Sequence, residues 1–254
     1  MAAGLTVHAR VSAGPAGVTG RPPVVLLHGL GVSGRYMLPT AAVLGSRFAV
    51  AVPDLPGFGR SEKPPRTLDT AQLAACLREW TAVKELERPI VLANSYGCQV
   101  ALEASSQDPD WCCALVLVGP TVDPAARSRH AQIGRWVRNL PREPLAEGPV
   151  VLRDYLAAGA RRLTRTLNDA LADRPEDKLG AIELPVLVVR GERDPIVPHR
   201  WAARITALLP DARLLTIPGA AHTPNFSHPR ELAAGLYALA AHLDTNRRPD
   251  DPPI

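Results

Sequence analysis

The chain has 254 residues, 46% of them hydrophobic and 21% charged, with a formal net charge of +4. That length and balance suit one α/β domain carrying an insertion, with enough apolar matter for a sizeable core. The 29 basic residues are scattered apart from Arg161-Arg162 and Arg247-Arg248, so the sequence has no footprint for nucleic acid or an anionic membrane.

Residues 1–11 lack the apolar run of a signal peptide, and no stretch is long enough to span a bilayer. A cytoplasmic protein is expected. Cys76, Cys98, Cys112 and Cys113 show no metal-ligand spacing with a second pair or a His cluster. Free thiols, no metal and no cofactor are expected.

Residues 5–11 alternate like an edge strand, and residues 14–23 form a Gly/Pro-rich turn region. Val24-Val-Leu-Leu27 is an apolar run ending in His28-Gly29. Residues 35–44 read as helix. Phe48-Ala-Val-Ala-Val52 reads as a buried strand ending at Pro53-Asp54, followed by the loop Leu55-Pro-Gly-Phe-Gly-Arg-Ser61. Residues 68–86 carry Leu73, Leu77, Trp80 and Val83 at helical spacing. A short strand at Ile90-Val-Leu92, a turn and a helix over 96–106 come next, then the strand Ala114-Leu-Val-Leu-Val118. Continuously apolar strands alternating with helices predict a parallel sheet covered on both faces.

The alternation lapses over 121–179. That stretch is helical, with stripes at Ile133, Trp136, Val137 and Leu140, at Leu152, Tyr155 and Leu156, and at Leu163, Leu167 and Leu171. It is too long for one crossover and predicts an inserted helical cap. Strands resume at 186–189 and 213–217, with helices over 199–209 and 229–243. The expected organisation is a core domain at 1–120 and 180–244, the cap at 121–179, and a polar, Pro-rich, disordered tail at 245–254.

The turn between Leu92 and the following helix puts Ser95 at its apex, in Ala93-Asn-Ser-Tyr-Gly97. A Ser on a sharp strand-to-helix turn projects its hydroxyl out of the fold, toward N–H groups that favour developing negative charge. A serine hydroxyl needs a base within reach, and the base needs an orienting carboxylate. Asp194 and His222 supply them, each in a loop after a strand. Asp123 is the alternative acid and His228 the alternative base. Asp54 reads as a turn carboxylate, and Cys98 as packing under the turn. His8, His130, His199 and His242 read as surface residues.

Four motifs together resemble the α/β-hydrolase family over nearly the whole chain: His28-Gly29, Asp54-Leu-Pro-Gly-Phe-Gly-Arg-Ser61, Asn94-Ser-Tyr-Gly97, and the Asp194 and His222 loops. Ala93 stands where the family's nucleophile elbow has its first Gly. The resemblance implies the α/β-hydrolase fold, a catalytic triad of Ser95, Asp194 and His222, and an oxyanion hole from the backbone N–H groups of Leu30 and Tyr96. It also implies a structural His28 beneath the oxyanion loop. Phe58, Trp136 and Tyr155 are expected in the substrate pocket.

The predicted function is a serine hydrolase cleaving an ester, thioester or related acyl bond of a small organic substrate. The elbow also resembles that of ring-fission-product hydrolases, which cleave carbon–carbon bonds, although Thr223 follows His222 where those usually carry Trp. A non-hydrolytic biosynthetic enzyme and a ligand receptor are further alternatives. The expected partner is a small acyl compound, with no nucleic acid and no membrane; a homodimer is left open.

Overall fold

Seven short strands form one sheet in the computed structural model, which describes residues 1–15 and 21–246. They are β1 (Ala9–Ser12), β2 (Val24–Leu27), β3 (Val50–Pro53), β4 (Ile90–Asn94), β5 (Ala114–Val118), β6 (Val186–Gly191) and β7 (Ala212–Ile217). Their order across the sheet is β1-β3-β2-β4-β5-β6-β7. Only β1 runs antiparallel, against β3; the other pairs are parallel.

The helices are α1 (Leu38–Leu44), α2 (Thr70–Val83), α3 (Tyr96–Gln107), α4 (Arg129–Asn139), α5 (Gly148–Ala158), α6 (Ala160–Ala172), α7 (His199–Leu208), α8 (Pro224–Ser227) and α9 (Pro229–Asn246). Successive strand side chains point to opposite faces. Val25, Leu27, Val91 and Ala93 therefore meet α2, α3 and α7 through Leu73, Trp80, Val100 and Trp201. Val24, Leu26, Ile90 and Leu92 meet the other side, through Met37, Leu44, Leu232 and Leu236. Burial on both faces is why these strands read as unbroken apolar runs.

Ends of elements follow local chemistry. Asp69 starts α2 with a capping box: its side chain accepts from Gln72 N at 2.9 Å, and Gln72 Oε1 accepts from Asp69 N at 3.2 Å. The edge strand is shorter than its alternating pattern, and Leu5 instead bridges Ala2. Of the residues expected in the tail at 245–254, Thr245 and Asn246 belong to α9. Residues 247–254, and 16–20 of the expected turn region, lie outside the described residues. Helices α4, α5 and α6 all fall between β5 and β6, within the expected 121–179 insertion. No helix among the described residues is long and apolar enough to cross a membrane.

Candidate active site

Strand β4 ends at Asn94, and α3 starts at Tyr96, leaving Ser95 alone to turn the chain. Its backbone takes φ 55°, ψ −122°, a strained conformation for a residue with a side chain. Ser95 N–H donates to Val118 O of β5 at 2.9 Å, which pins the turn to the sheet. Gly97 has to be Gly: a Cβ there would lie 2.7 Å from the carbonyl oxygen of His28. Cys98 packs beneath, fully buried, with Sγ donating to Ala93 O at 3.2 Å. Burial pushes its thiol far above the ordinary range, so it is inert beside the half-buried apex.

His222 follows β7 and Asp194 follows β6. Their side chains meet, His222 Nδ1 to Asp194 Oδ2, at 2.9 Å. The other oxygen, Asp194 Oδ1, accepts the N–H groups of Ile196 at 2.7 Å and Val197 at 3.0 Å. Those bonds fix the carboxylate, which then fixes the ring. Gly119, at φ +56°, gives the ring its seat, since a Cβ there would lie 2.9 Å from His222 Nδ1. Burial opposes charge on His222, but Asp194, with help from Glu143 and Glu147, outweighs it and holds the imidazole above its usual range.

A cavity of about 580 Å³ brings the groups together. Ser95 and His222 share its wall with Gly29, Leu30 and Tyr96. Ser95 thus joins the His222–Asp194 pair as a cavity neighbour rather than through a side-chain hydrogen bond. Catalytic hydrogen bonds are often loose before substrate arrives. Tyr96 opens α3, so its N–H is one of the four with no acceptor inside the helix. The cavity wall thus holds a serine on a sharp turn, an imidazole oriented by a carboxylate, and the first N–H of a helix.

Three loops are tied together by two residues whose part the sequence did not reveal. Gly29 N–H donates to Tyr36 Oη at 2.8 Å, and Tyr36 Oη–H donates to Asn94 Oδ1 in a very short bond. Asn94 Nδ2 then donates to the carbonyls of Val118 and His222, both at 3.2 Å. The expected oxyanion loop, the elbow and the His222 loop are therefore joined by one hydrogen-bonded chain.

His28 sits under that unit. Its Nε2 accepts from Leu55 N–H at 2.8 Å, so the proton is on Nδ1, which donates to Gly29 O at 2.9 Å. Burial lowers its pKa and keeps it neutral. Phe58, expected in the pocket, is off the cavity wall: it packs edge-on against His28, ring centroids 5.8 Å apart. Trp136 and Tyr155 do line the cavity, stacked at 6.0 Å.

Asp123 is engaged elsewhere. Its Oδ2 accepts from Arg135 at 2.8 Å and Arg200 at 2.9 Å, joining α4 to α7. His228 contacts Ser227 Oγ at 2.9 Å, away from the cavity. Asp54 is more than a turn residue: it is fully buried and accepts from Gly34 N at 2.8 Å, Arg60 N at 2.9 Å and Arg10 Nη1 at 2.9 Å. His8 is half-buried against it at 3.2 Å, which corrects its reading as a surface residue, and His242 is half-buried too.

A model of the alpha/beta hydrolase family matches residues 24–235. The chain belongs to that family. Among its relatives, pimeloyl-[acyl-carrier protein] methyl ester esterase of Chromobacterium violaceum is 31% identical, the match covering 88% of this chain and 95% of that one. The same-named esterase of Edwardsiella ictaluri is 28% identical, over 87% of this chain and 94% of that one. The enol-lactonase from Burkholderia xenovorans shares the fold, with TM-score 0.78 at 19% identity, over 94% of this chain and 98% of that one. This α/β-hydrolase is an enzyme, and the first two of these relatives are named as esterases.

Proposed function

We infer that this α/β-hydrolase cleaves an ester, thioester or related acyl bond of a small, mainly apolar substrate through an acyl-enzyme. One observation carries the reading: Ser95 is held at positive φ on the cavity wall it shares with His222, whose ring Asp194 orients at 2.9 Å. Ser95 Oγ attacks the carbonyl carbon while His222 takes its proton. Asp194 keeps the proton of Nδ1 toward itself, leaving Nε2 free to accept. The N–H groups of Leu30 and Tyr96 receive the developing oxyanion. His222 returns the proton to the leaving group, and water repeats the sequence on the acyl-enzyme.

The inserted helices serve as a cap that makes the acyl pocket. Ile133, Trp136, Leu140, Leu152, Leu163 and Leu167 line the cavity and suit a hydrocarbon chain. The methyl ester chemistry named for two relatives supports an acyl ester as the substrate class.

The test is Ser95→Ala, which leaves the fold intact. Turnover of p-nitrophenyl esters should fall roughly 10^4-fold or more, and labelling by a fluorophosphonate should vanish. Near-normal turnover in that variant would overturn the reading.

A further inference from the structure

His222 is held by its loop from below and by the cap from above. Glu143 lies between α4 and α5. Its Oε1 accepts the backbone N–H of His222 at 2.7 Å and of Thr223 at 3.0 Å. Its Oε2 accepts the Thr223 hydroxyl at 2.6 Å. Asn139 Nδ2 donates to Oε1 at 2.8 Å. Four donors converge on one carboxylate, and bonds to an ionised acceptor are roughly twice as strong as neutral ones.

A proton count shows that one of two neighbouring carboxyls carries a proton. Thr223 Oγ1 also lies 2.7 Å from Glu147 Oε2. A hydroxyl has one proton and can donate to only one of these two acids. The other contact needs a proton on a carboxyl. Glu147 is the buried member, and burial, then the charge of Glu143, pushes its pKa up to about 7. Protonated Glu147 therefore donates to Thr223, and Thr223 donates to Glu143, which accepts the backbone of His222 with its other oxygen.

We propose that Glu143 is a positioning residue for His222, so that the cap completes the catalytic machinery as well as the pocket. This rests on His222 being the base. Glu143 acts in two ways. Its bonds fix the loop that aims the imidazole. Its charge, with that of Asp194, stabilises the imidazolium of His222. Removing the charge lowers the pKa of His222, and the acid limb of kcat/KM moves to lower pH.

The experiment uses the full chain and a probe too small to need the acyl pocket, diisopropyl fluorophosphate, beside pH profiles on p-nitrophenyl acetate. Glu143→Ala should slow labelling and kcat about tenfold or more, with KM changed little. Glu143→Gln should shift the acid limb to lower pH. Thr223→Val leaves both backbone bonds in place and should fall between the parent and Glu143→Ala. Leu156→Ala, on the outside of the cap, serves as the control for a cap substitution that spares His222. Should Glu143→Ala fail to fold, the isosteric Glu143→Gln carries the test through its pH profile. Parental labelling rates and an unmoved acid limb in Glu143→Gln, with only KM or Tm altered, would reduce Glu143 to a pocket wall and overturn the proposal. A parent that the probe does not label at Ser95 is a different failure: it sinks the serine-hydrolase reading, and this inference with it.

Discussion

All residues of β2, β4, β5 and β6 are buried, and except for Asn94, Arg190 and Gly191 they are apolar. In α4, α5 and α6 the buried residues are Gln132, Asn139, Asp154, Thr166 and Ala170. Large apolar side chains there stay open: Ile133 is 51% exposed and Leu152 62%, and both line the cavity. The cap is fastened by directed polar bonds. Asp154 accepts from Ser33 Oγ at 2.6 Å, Asp169 from Tyr96 Oη at 2.9 Å, and Ala170 O from Gln99 Nε2 at 2.9 Å. The sheet is thus stabilised chiefly by area removed from water, and these helices by directed polar contacts beside a smaller apolar seam. Val150, Val151 and Tyr155 also pack against the core, while Ile133 and Leu152 stay open on the cavity wall.

The contrast is tested first where each region offers a carboxylate. Asp194 belongs to the core loops, and Asp123 ties the core to α4. Asp194→Asn should lower kcat roughly 10^4-fold, because the ring loses the partner that sets its tautomer. Asp123→Asn weakens the ion pairs with Arg135 and Arg200 and should cost about 1 kcal/mol of stability with kcat nearly unchanged. Steady-state kinetics beside urea unfolding would separate them. The opposite ranking in kcat would make Asp123 the acid.

The same split should appear with leucines. Leu92 is fully buried in β4, so Leu92→Ala opens a cavity and should cost about 2–5 kcal/mol in urea unfolding. Leu152→Ala should stay within about 0.5 kcal/mol and change KM instead. Equal losses of stability would mean the cap is built as the core is.

This difference also decides what could be read from the residues alone. Strands buried on both faces announce themselves, and a crowded turn needs Gly97 close to its Ser. Asp194 follows such a strand and His222 follows the half-buried edge strand β7, so their positions follow from the topology. Phe58 has no such guide. It lies between Gly57 at φ +95° and Gly59 at φ +53°, and that loop sends its ring to His28 rather than to the cavity. Leu156 shares a helical stripe with Leu152 and Tyr155, yet is 75% exposed and off the wall. Periodicity fixes which residues are neighbours on a helix, and docking by Asp154 fixes which of them faces inward. Glu143 and Glu147 gave no local signal, for acids in a charged insertion look solvated until the fold covers them.

Glu147 gives the contrast a pH dependence. Its folded pKa, about 7, lies above the usual carboxyl value of 4.5. The folded state therefore binds more protons than the unfolded chain between those values, and stability falls as pH rises through that window. Glu147→Gln keeps an N–H donor for Thr223 and carries no charge. It should raise Tm at pH 8, by about 1–2 kcal/mol of stability, and change little at pH 4. A gain equal at both pH values would mean that Glu147 does not titrate in this range.

The smallest effect sharpens the boundary between cap and pocket. Trp136 and Tyr155 stack on the cavity wall, while Leu156, one residue beyond Tyr155, faces solvent. If the cap selects substrate by apolar contact, Trp136→Ala removes wall area from bound long acyl chains but not from acetate. On p-nitrophenyl esters of graded length, KM should rise with chain length, by about tenfold for a chain that reaches the indole, which is roughly 1.4 kcal/mol. Turnover of p-nitrophenyl acetate should be nearly unaffected. Leu156→Ala removes an exposed side chain and should leave the whole profile within about twofold of the parent, with stability within about 0.5 kcal/mol. Suppose instead that Trp136→Ala lowered Tm and left the chain-length profile flat. The stacked pair would then be holding α4 to α5, and the cap's apolar residues would be structural after all, as those of the sheet are.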